Sequence, residues 1–314
     1  MLTRWVDEEI AGDPCGPCKW IRHSLRHLQA TLVGLGVLIS HVSVGRLLKR
    51  QRYSLKANRK SIARTQHPQR DQQVRYIHRV KRRFLSAGHP VISVDTKKKE
   101  LIGNFKNAGA TWCQQAEPVN DHDFAQDAVA RAVPYGIYDL VHNQGYIYLG
   151  TSGDTADFAV DAIERWYRRT DRPRFADERK LLILCDAGGA NGYRVPNWKR
   201  RLQLLGDCYH LQIMVCHYPS GASKWNPIEH RLFSSISINW AGKPLRSLAR
   251  MTALIRGTST QTGLTVNATL LKGHYPTKVK VSDAQMADLN ISHRKICPQW
   301  NYIVHPRKTE SRVS

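Results

Sequence analysis

The N-terminal part of the chain alternates apolar and basic positions at helical spacing. Leucines recur three and four positions apart over residues 25–32, which predicts a helix that ends at Gly36. A second apolar stripe at 44–48 follows two serines that suit a helix cap, and its other side is basic, with Arg46, Lys49, Arg50 and Arg52. This pattern is typical of a helix-turn-helix whose second helix enters the DNA major groove. A basic helical hairpin packed on its own domain has the same pattern, and Gly45 weakens the helix by about 1 kcal/mol.

Beyond residue 88 the pattern changes to strands alternating with helices. It predicts strands at 89–95, 180–186 and 211–217, a hairpin at 135–152 around Asn143-Gln144-Gly145, and helices at 153–169 and 196–206. The unbroken apolar run at 180–186 is typical of a strand buried on both faces. Asp154 is the expected cap of the helix at 153–169. Together these elements predict an α/β fold with a mixed sheet.

These changes of pattern divide the chain into four segments. Residues 1–66 are the helical helix-turn-helix region, and residues 67–88 are a basic linker helix. Residues 89–258 are the α/β domain expected to carry the chemistry, and residues 259–314 are a C-terminal extension.

The charge of the chain is its unusual bulk property, a formal net +23 over 314 residues. Residues 19–83 contain 17 lysines and arginines and a single acid, Asp71. A field of this sign and size favours a polyanionic partner, and nucleic acid is the commonest one. A basic protein without such a partner is the alternative.

No segment of the sequence predicts a signal peptide or a membrane span, because the most apolar run, at 31–40, is too short to cross a bilayer. The seven cysteines are odd in number and irregularly spaced, which favours reduced thiols in a cytoplasm. Cys15 and Cys18 form a CxxC pair, but no second pair follows at zinc-ribbon spacing, so their role stays open.

Two of the predicted strands end in aspartate, Asp95 after "VISV" and Asp186 after "LLILC". Sites in open α/β sheets form at the carboxyl ends of strands, where the chain segments diverge. Asp186 precedes "AGGANG", whose glycines let the backbone approach a ligand closely. An Asx turn after a strand is the alternative interpretation of Asp186.

Glu229 lies in "NPIE", where Asn226 suits a helix cap and Pro227 the first helical position, so a capping role is one interpretation of the glutamate. The position of Glu229 around the helix favours a second interpretation. Glu229 falls within an apolar stripe made of Ile228, Leu232, Phe233, Ile236 and Trp240. Because a carboxylate directed at a core is costly unless it is paired or metal-bound, the phase favours a ligand role.

Three such carboxylates suit phosphoryl chemistry on Mg²⁺ or Mn²⁺, with two ions about 3.5–4 Å apart. Five basic residues flank them and are candidates for holding phosphates: Lys97, Lys98, Lys99, Lys224 and Arg231. His217 and His230 are candidates for assisting proton transfer. A rival metal cluster at 121–123, Asp-His-Asp, is better interpreted as a loop, because adjacent residues of an extended chain point to opposite faces.

Several long motifs, in order along residues 12–304, resemble the Rhodopirellula-type DDE transposases of bacterial insertion sequences. They include "PVISVDTKKKELIGNFKNAG", "LLILCDAGGANGYR", "VCHYPSGASKWNPIEHRLFSSISINW" and "YPTKVKVSDAQM". The resemblance implies a ribonuclease-H-like catalytic domain, a mixed five-stranded sheet flanked by helices, in which Asp95, Asp186 and Glu229 are the catalytic and metal-binding triad. It also implies metal-dependent cutting of the element's terminal inverted repeats and strand transfer to double-stranded target DNA. A homo-oligomer on the DNA is expected from that chemistry.

Members of this family carry a further N-terminal DNA-binding segment before the region matched by "GDPCGPCKW", so a shortened member is expected. The alternative function is a truncated, transposition-deficient copy that acts only as a DNA-binding protein. "CDAGGANG" also differs slightly from the family's small-residue loop, although its aspartate and glycines are present.

Overall fold

A computed structural model describes residues 10–12, 19–21, 23–55, 67–171, 179–222 and 225–307. Lys224, Cys15 and Cys18 lie outside these described residues. The chain divides into two compact units, residues 1–62 and residues 63–314, and each is described by itself.

The first unit contains a short β-ribbon and a pair of helices. Strand β1 (Ile10–Gly12) pairs antiparallel with β2 (Lys19–Ile21). Helix α1 (Leu25–Gly34) and helix α2 (His41–Arg50) follow. Each begins at a serine, Ser24 and Ser40, whose hydroxyl accepts a backbone N–H of the first turn. The two helices predicted from the leucine spacing and the serine caps are confirmed.

The two helices are held together by a small apolar core of Leu28, Leu32 and Val44. Gly45 explains how α2 comes so close to α1, because a Cβ at this position would lie 3.2 Å from Cδ1 of Leu25. Gly45 has a low helix propensity, but its lack of a side chain allows the two helices to pack closely.

The second unit is built on one nine-stranded mixed sheet. Its strands are β3 (Val91–Thr96), β4 (Glu100–Ile102), β5 (Ala130–Asp139), β6 (Gln144–Gly150), β7 (Lys180–Asp186), β8 (Gln212–Tyr218), β9 (Thr265–Leu270), β10 (Ile291–His293) and β11 (Asn301–Val304). The order is β10-β11-β8-β7-β3-β5-β6-β9, and β4 pairs with β5.

The five central strands, β6-β5-β3-β7-β8, form the ribonuclease-H-like sheet expected from the resemblance, with β5 antiparallel to both of its neighbours. The predicted number of five strands is too small for the whole sheet. Strand β9 extends one side in parallel with β6, and β11 extends the other side antiparallel to β8. The C-terminal residues 259–307 thus supply three strands of the sheet.

Helices cover both faces of this sheet. They are α3 (Arg70–Ser86), α4 (Ala156–Trp166), α5 (Pro196–Tyr209), α6 (Ser234–Asn239), α7 (Leu248–Arg256) and the short α8 (Asp283–Ala287). Helices α4 and α5 pack on one face, and α3, α6 and α7 pack on the other. The predicted linker helix at 67–88, observed as α3, is therefore packed on the sheet. None of the helices in the described ranges is long and apolar enough to cross a membrane.

Two local predictions are corrected. The hairpin pairs Asp139 with Gln144, so its turn is 140–143, and the predicted turn residues Gln144 and Gly145 already belong to β6. Helix α4 is capped by Thr155, whose hydroxyl accepts the N–H of Phe158, because Asp154 is engaged elsewhere. Both are shifts of one to three residues within correctly predicted elements.

Candidate active site

Asp95 and Asp186 lie at the carboxyl ends of neighbouring parallel strands. Strands β3 and β7 are paired up to Val94 and Cys185, so the two aspartates follow side by side. The backbone N–H of Thr96 donates to Oδ1 of Asp95 at 2.8 Å. The strand-end prediction for these two residues matches their placement.

The two carboxylates are partly buried and affect each other electrostatically. Burial raises the pKa of Asp95 above its usual range, and the adjacent Asp186 raises it further. Burial also raises the pKa of Asp186, and the charge of Glu229 acts in the same direction. Among the described residues, no lysine or arginine forms an ion pair with any of the three carboxylates. The site thus concentrates negative charge that the described side chains do not neutralise.

Glu229 begins a π-helical turn, Glu229–Phe233, that leads into α6. This segment lies close against β5 because Gly136, the register partner of Asp95, has no side chain. A Cβ at Gly136 would lie 2.5 Å from the ring of Phe233 and 2.9 Å from Ile228. Gly145 of β6 provides the same space for Leu232. Two glycines in the central hairpin thus bring the Glu229 segment to the strand ends.

Asn226 connects the elements that carry Asp186 and Glu229. It is fully buried, and its Nδ2 donates to Oδ1 of Asp186 at 2.9 Å. Its Oδ1 accepts from the hydroxyl of Ser93, and the Ser93 oxygen accepts the backbone N–H of Ile228 at 3.2 Å. The prediction that Asn226 caps this helix through its side chain is wrong, since Ser93 supplies the cap from β3. Glu229 donates its own N–H to the carbonyl of Asn226 at 3.2 Å.

A cleft of about 290 Å³ opens at these strand ends. It is lined by Asp95, Thr96, Asp154, Asp186, Ala187, Gly188, Gly189, Pro219, Ser220 and Gly221. The side chain of Asp154 accepts from Oγ1 of Thr96 at 2.9 Å, which brings a further acid to the cleft. The sequence did not predict that Asp154 lines the cleft, because an aspartate at the start of a helix is readily explained as a helix cap. Apart from the neighbouring residues in the chain, no atom of the described residues lies within 4 Å of where a Cβ would stand on Gly188 or Gly189, so a ligand can approach this backbone.

The donor set of the cleft suits a hard divalent cation. Carboxylate oxygens are the ligands that Mg²⁺ and Mn²⁺ prefer, and Mg²⁺ commonly uses only one or two protein carboxylates besides water and phosphate oxygens. Asp95 and Asp186 meet this requirement, and their unneutralised charge favours a cation. No three acidic, histidine or cysteine side chains of the described ranges enclose a common position by themselves. The residues therefore fit an ion whose remaining ligands come from water and substrate.

The two histidines proposed for proton transfer differ in placement. His217 is fully buried behind Asp186, and burial lowers the pKa of His217 to about 4, so it is neutral at pH 7. It does not line the cleft, which contradicts a direct role in proton transfer. His230 is exposed beside Glu229. The 121–123 cluster is an exposed loop in which carboxylates accept backbone N–H groups, as the loop interpretation predicts.

The predicted phosphate-binding residues are not equivalent in the structure. Lys97 is 10 % exposed, pairs with Glu100 at 3.1 Å and lies over the ring of Trp240, so its charge is already engaged. Lys98 and Lys99 are exposed. Arg231 is exposed near α3, where its charge adds to burial in lowering the pKa of Lys81.

The four basic residues predicted for the helix-turn-helix lie in the first unit. Arg46, Lys49 and Arg50 are exposed on α2, whereas Arg52 is exposed two residues beyond the end of that helix. The structure therefore presents three of these cations on one helix.

Comparison with known proteins gives one family match. A family model described as the Rhodopirellula transposase DDE domain matches residues 1–306. A search of curated proteins finds no match. Similar solved structures include a Mos1 transposase paired-end complex with the left transposon end, at 14 % identity and a TM-score of 0.45 over 80 % of this chain and 76 % of that one. Another is a pre-cleavage Mos1 transpososome, at 13 % identity and a TM-score of 0.45 over 80 % and 75 % of the two chains.

Proposed function

The chain belongs to the Rhodopirellula-type DDE transposases, and on this basis we propose that it cuts DNA at the ends of an insertion sequence and joins the freed 3′ ends to target DNA. In the first reaction a water oxygen replaces the 3′ oxygen at the scissile phosphorus. In the second, the freed 3′-hydroxyl replaces a 3′ oxygen at a phosphorus of the target strand.

The observation that supports this proposal is the side-by-side placement of two strand-end aspartates in one cleft, with the helical segment that begins at Glu229 packed against the adjacent strand β5. Asp95 and Asp186 are neighbours, and the charge of Glu229 acts on both of them. Two Mg²⁺ or Mn²⁺ ions, when bound, would supply Lewis-acid activation of the attacking water or 3′-hydroxyl and would stabilise the leaving oxygen. Asp95 and Asp186 would hold this metal, and Glu229 would complete the ligand set.

Other residues of the cleft orient this triad and admit the substrate. Asn226 donates a buried hydrogen bond to one carboxylate oxygen of Asp186. This bond restricts rotation of the carboxylate and so fixes the direction of its other oxygen. Gly188 and Gly189 leave room for a phosphodiester backbone beside Asp186. These features favour a reaction on a long polyanion over one on a small enclosed substrate.

DNA binding is assigned in this proposal to cations outside the triad. Arg46, Lys49 and Arg50 on α2 suit contacts to double-stranded DNA, and Lys98 and Arg231 suit phosphates near the cleft. Because two element ends must be cut and joined, a homo-oligomer on the DNA belongs to the same proposal.

The test is a nicking assay with a labelled duplex carrying the element end, in Mg²⁺. We expect the wild type to nick, and Asp186→Asn and Glu229→Gln to bind the duplex without nicking. Asp283→Asn, at an exposed acid of α8, is the matched control and should nick normally. Unchanged nicking in both triad variants would refute the mechanism, and a wild type that binds without nicking would favour the DNA-binding alternative.

A further inference from the structure

A buried chain of hydrogen bonds runs from the C-terminal strand to the main chain of Asp186. The indole Nε1 of Trp198 lies 3.0 Å from the hydroxyl of Tyr302, and that hydroxyl lies 3.2 Å from Nε2 of His217. Nδ1 of His217 lies 3.0 Å from the carbonyl oxygen of Asp186. All three aromatic side chains are fully buried, so water cannot replace these contacts.

The chemistry of the groups gives each bond in this chain a direction. The Cys185 thiol, 3.3 Å from Nδ1 of His217, donates to the carbonyl of Asn191 and so leaves the Nδ1 proton to Asp186. A carbonyl oxygen only accepts, so Nδ1 of His217 carries the proton that it donates to Asp186. Nε2 of the neutral ring is then an acceptor and takes the hydroxyl proton of Tyr302. The indole N–H of Trp198 can only donate, and it satisfies the Tyr302 oxygen. One arrangement of protons therefore satisfies the whole chain.

The main chain of His217 is held equally firmly. Its N–H donates to the carbonyl of Trp300 at 3.0 Å, and its carbonyl accepts from Nε2 of Gln73 at 2.9 Å. Gln73 and Asn301 exchange two hydrogen bonds between their buried amides. Helix α3 and strand β11 thus fix the histidine from outside the cleft, at its position on β8.

We propose that His217, held by Tyr302, is a positioning residue that sets the end of strand β7 and thereby the metal-binding carboxylate of Asp186. The inference rests on the proposed function, because it assigns the histidine to the same metal site. The reason is geometric. The Asp186 carbonyl is anchored by His217 and its carboxylate by Asn226, so both ends of the residue are fixed before an ion binds.

The test uses two substitutions that retain different halves of the imidazole. His217→Asn keeps an N–H near the place of Nδ1 and can still donate to Asp186, whereas His217→Gln presents its amide near the place of Nε2 and cannot. Tyr302→Phe removes the hydroxyl that donates to Nε2 of His217 and so loosens the ring at that end. Tyr275→Phe is the matched control, since it removes a tyrosine hydrogen bond to Asp161, which does not line the cleft.

The readout is binding of Mn²⁺ alone, measured with the full chain as the rise in melting temperature over a Mn²⁺ titration. We expect His217→Gln and Tyr302→Phe to raise the Mn²⁺ midpoint about tenfold, and His217→Asn and Tyr275→Phe to stay within about twofold of the wild type. Nitrogen NMR of the wild type should show the proton of His217 on Nδ1.

The outcomes separate the two proposals. Equal Mn²⁺ midpoints in His217→Asn and His217→Gln, or a proton on Nε2, would overturn the positioning role while leaving the metal site intact. A wild type without any Mn²⁺ response would overturn both the positioning role and the metal site of the proposed function. If His217→Gln fails to fold, the same Mn²⁺ titration compares Tyr302→Phe with Tyr275→Phe. Equal midpoints in these two variants would overturn the positioning role.

Discussion

In the carboxylate cleft the polar groups that matter are buried and hydrogen-bonded to one another, whereas in the helix pair α1–α2 they are exposed and carry like charge. Asn226, Ser93 and His217 are each fully buried around Asp186. Arg46, Lys49 and Arg50 are exposed on α2, and the core between α1 and α2 has three buried apolar side chains among the described residues.

The difference matches the functions proposed for the two regions. Metal ligation requires oxygens in fixed places, which buried hydrogen bonds provide. Attraction of phosphates acts over about 10 Å at 0.1 M salt and tolerates mobile side chains, so it needs little supporting structure. Substitutions in the cleft should therefore alter rates and metal response, and substitutions on the helix pair should alter affinity and salt dependence.

The largest effect is expected from Asp95→Asn. Loss of a metal ligand should lower nicking about a thousandfold or more, equal to about 4 kcal/mol in the barrier, while DNA affinity stays within about twofold. Nicking rates and filter binding on the same duplex measure both quantities. An equal loss of DNA affinity and nicking rate would contradict the proposal that the cleft determines the rate and the helix pair the affinity.

The same substitution should stabilise the metal-free protein at high pH. The pKa of Asp95 and of Asp186 is raised by folding, so the folded state holds protons that the unfolded state releases above about pH 4. Stability of the wild type in EDTA should thus fall as the pH rises from 5 to 8. Asp95→Asn should remove at least about 1 kcal/mol of that fall, measured by urea unfolding. An unchanged slope of stability against pH would contradict the raised pKa of Asp95.

The second largest effect is expected from replacing Arg46, Lys49 and Arg50 together by glutamine. Loss of three phosphate contacts should lower DNA affinity about a hundredfold at 0.1 M salt and reduce the slope of log K against log salt by roughly three. Single-turnover nicking at saturating DNA should be unchanged. Lys280→Gln, an exposed cation of the second unit, serves as the control and should leave the salt slope within error.

A third, intermediate effect is expected from Gly136→Ala. The added Cβ meets the ring of Phe233 and the end of Ile228, so the Glu229 segment must move away from β5. Overpacking of this kind costs about 1–3 kcal/mol, seen in thermal unfolding, and nicking should fall by more than the lost stability explains. Normal nicking in a destabilised variant would show that the position of Glu229 is less critical than that of Asp186.

The smallest effect is expected from Gly45→Ala in the helix pair. Alanine gains about 1 kcal/mol in helix propensity, and the close contact is with Cδ1 of Leu25, a side chain that is 39 % exposed and free to shift. The melting temperature should rise slightly, with DNA affinity and nicking unchanged. A marked loss of stability would show that this helix contact is as closely fitted as the cleft.

Much of the central fold was predictable because its signals are local. Apolar runs such as 180–186 define strands buried on both faces, and Asp95 and Asp186 follow from where two such runs end. The three C-terminal strands were missed for two reasons. Strands β10 and β11 are only three and four residues long, and β9 has only two buried side chains among its six residues, so the apolar pattern of each is weak.

The supporting contacts of the site could not be predicted from the sequence, because their partners are distant in the chain. Asn226 is bonded to Ser93, 133 residues away, and nothing near "NPIE" indicates that a serine of another strand supplies the cap. Lys97 is close to Asp95 in the sequence and was therefore predicted to bind phosphate. In the structure its ammonium group instead pairs with Glu100 and lies over the ring of Trp240.

The hydrogen bond from Tyr302 to His217 also orders events during synthesis of the chain. At translation rates of about 5–20 residues per second, Tyr302 leaves the ribosome on the order of 10 s after Asp186. Until strand β11 has paired with β8, His217 lacks the hydroxyl that bonds to its Nε2, although Asp95, Asp186 and Glu229 have all been translated. The nascent chain therefore carries the exposed cations of α1–α2 well before the proposed metal site is complete.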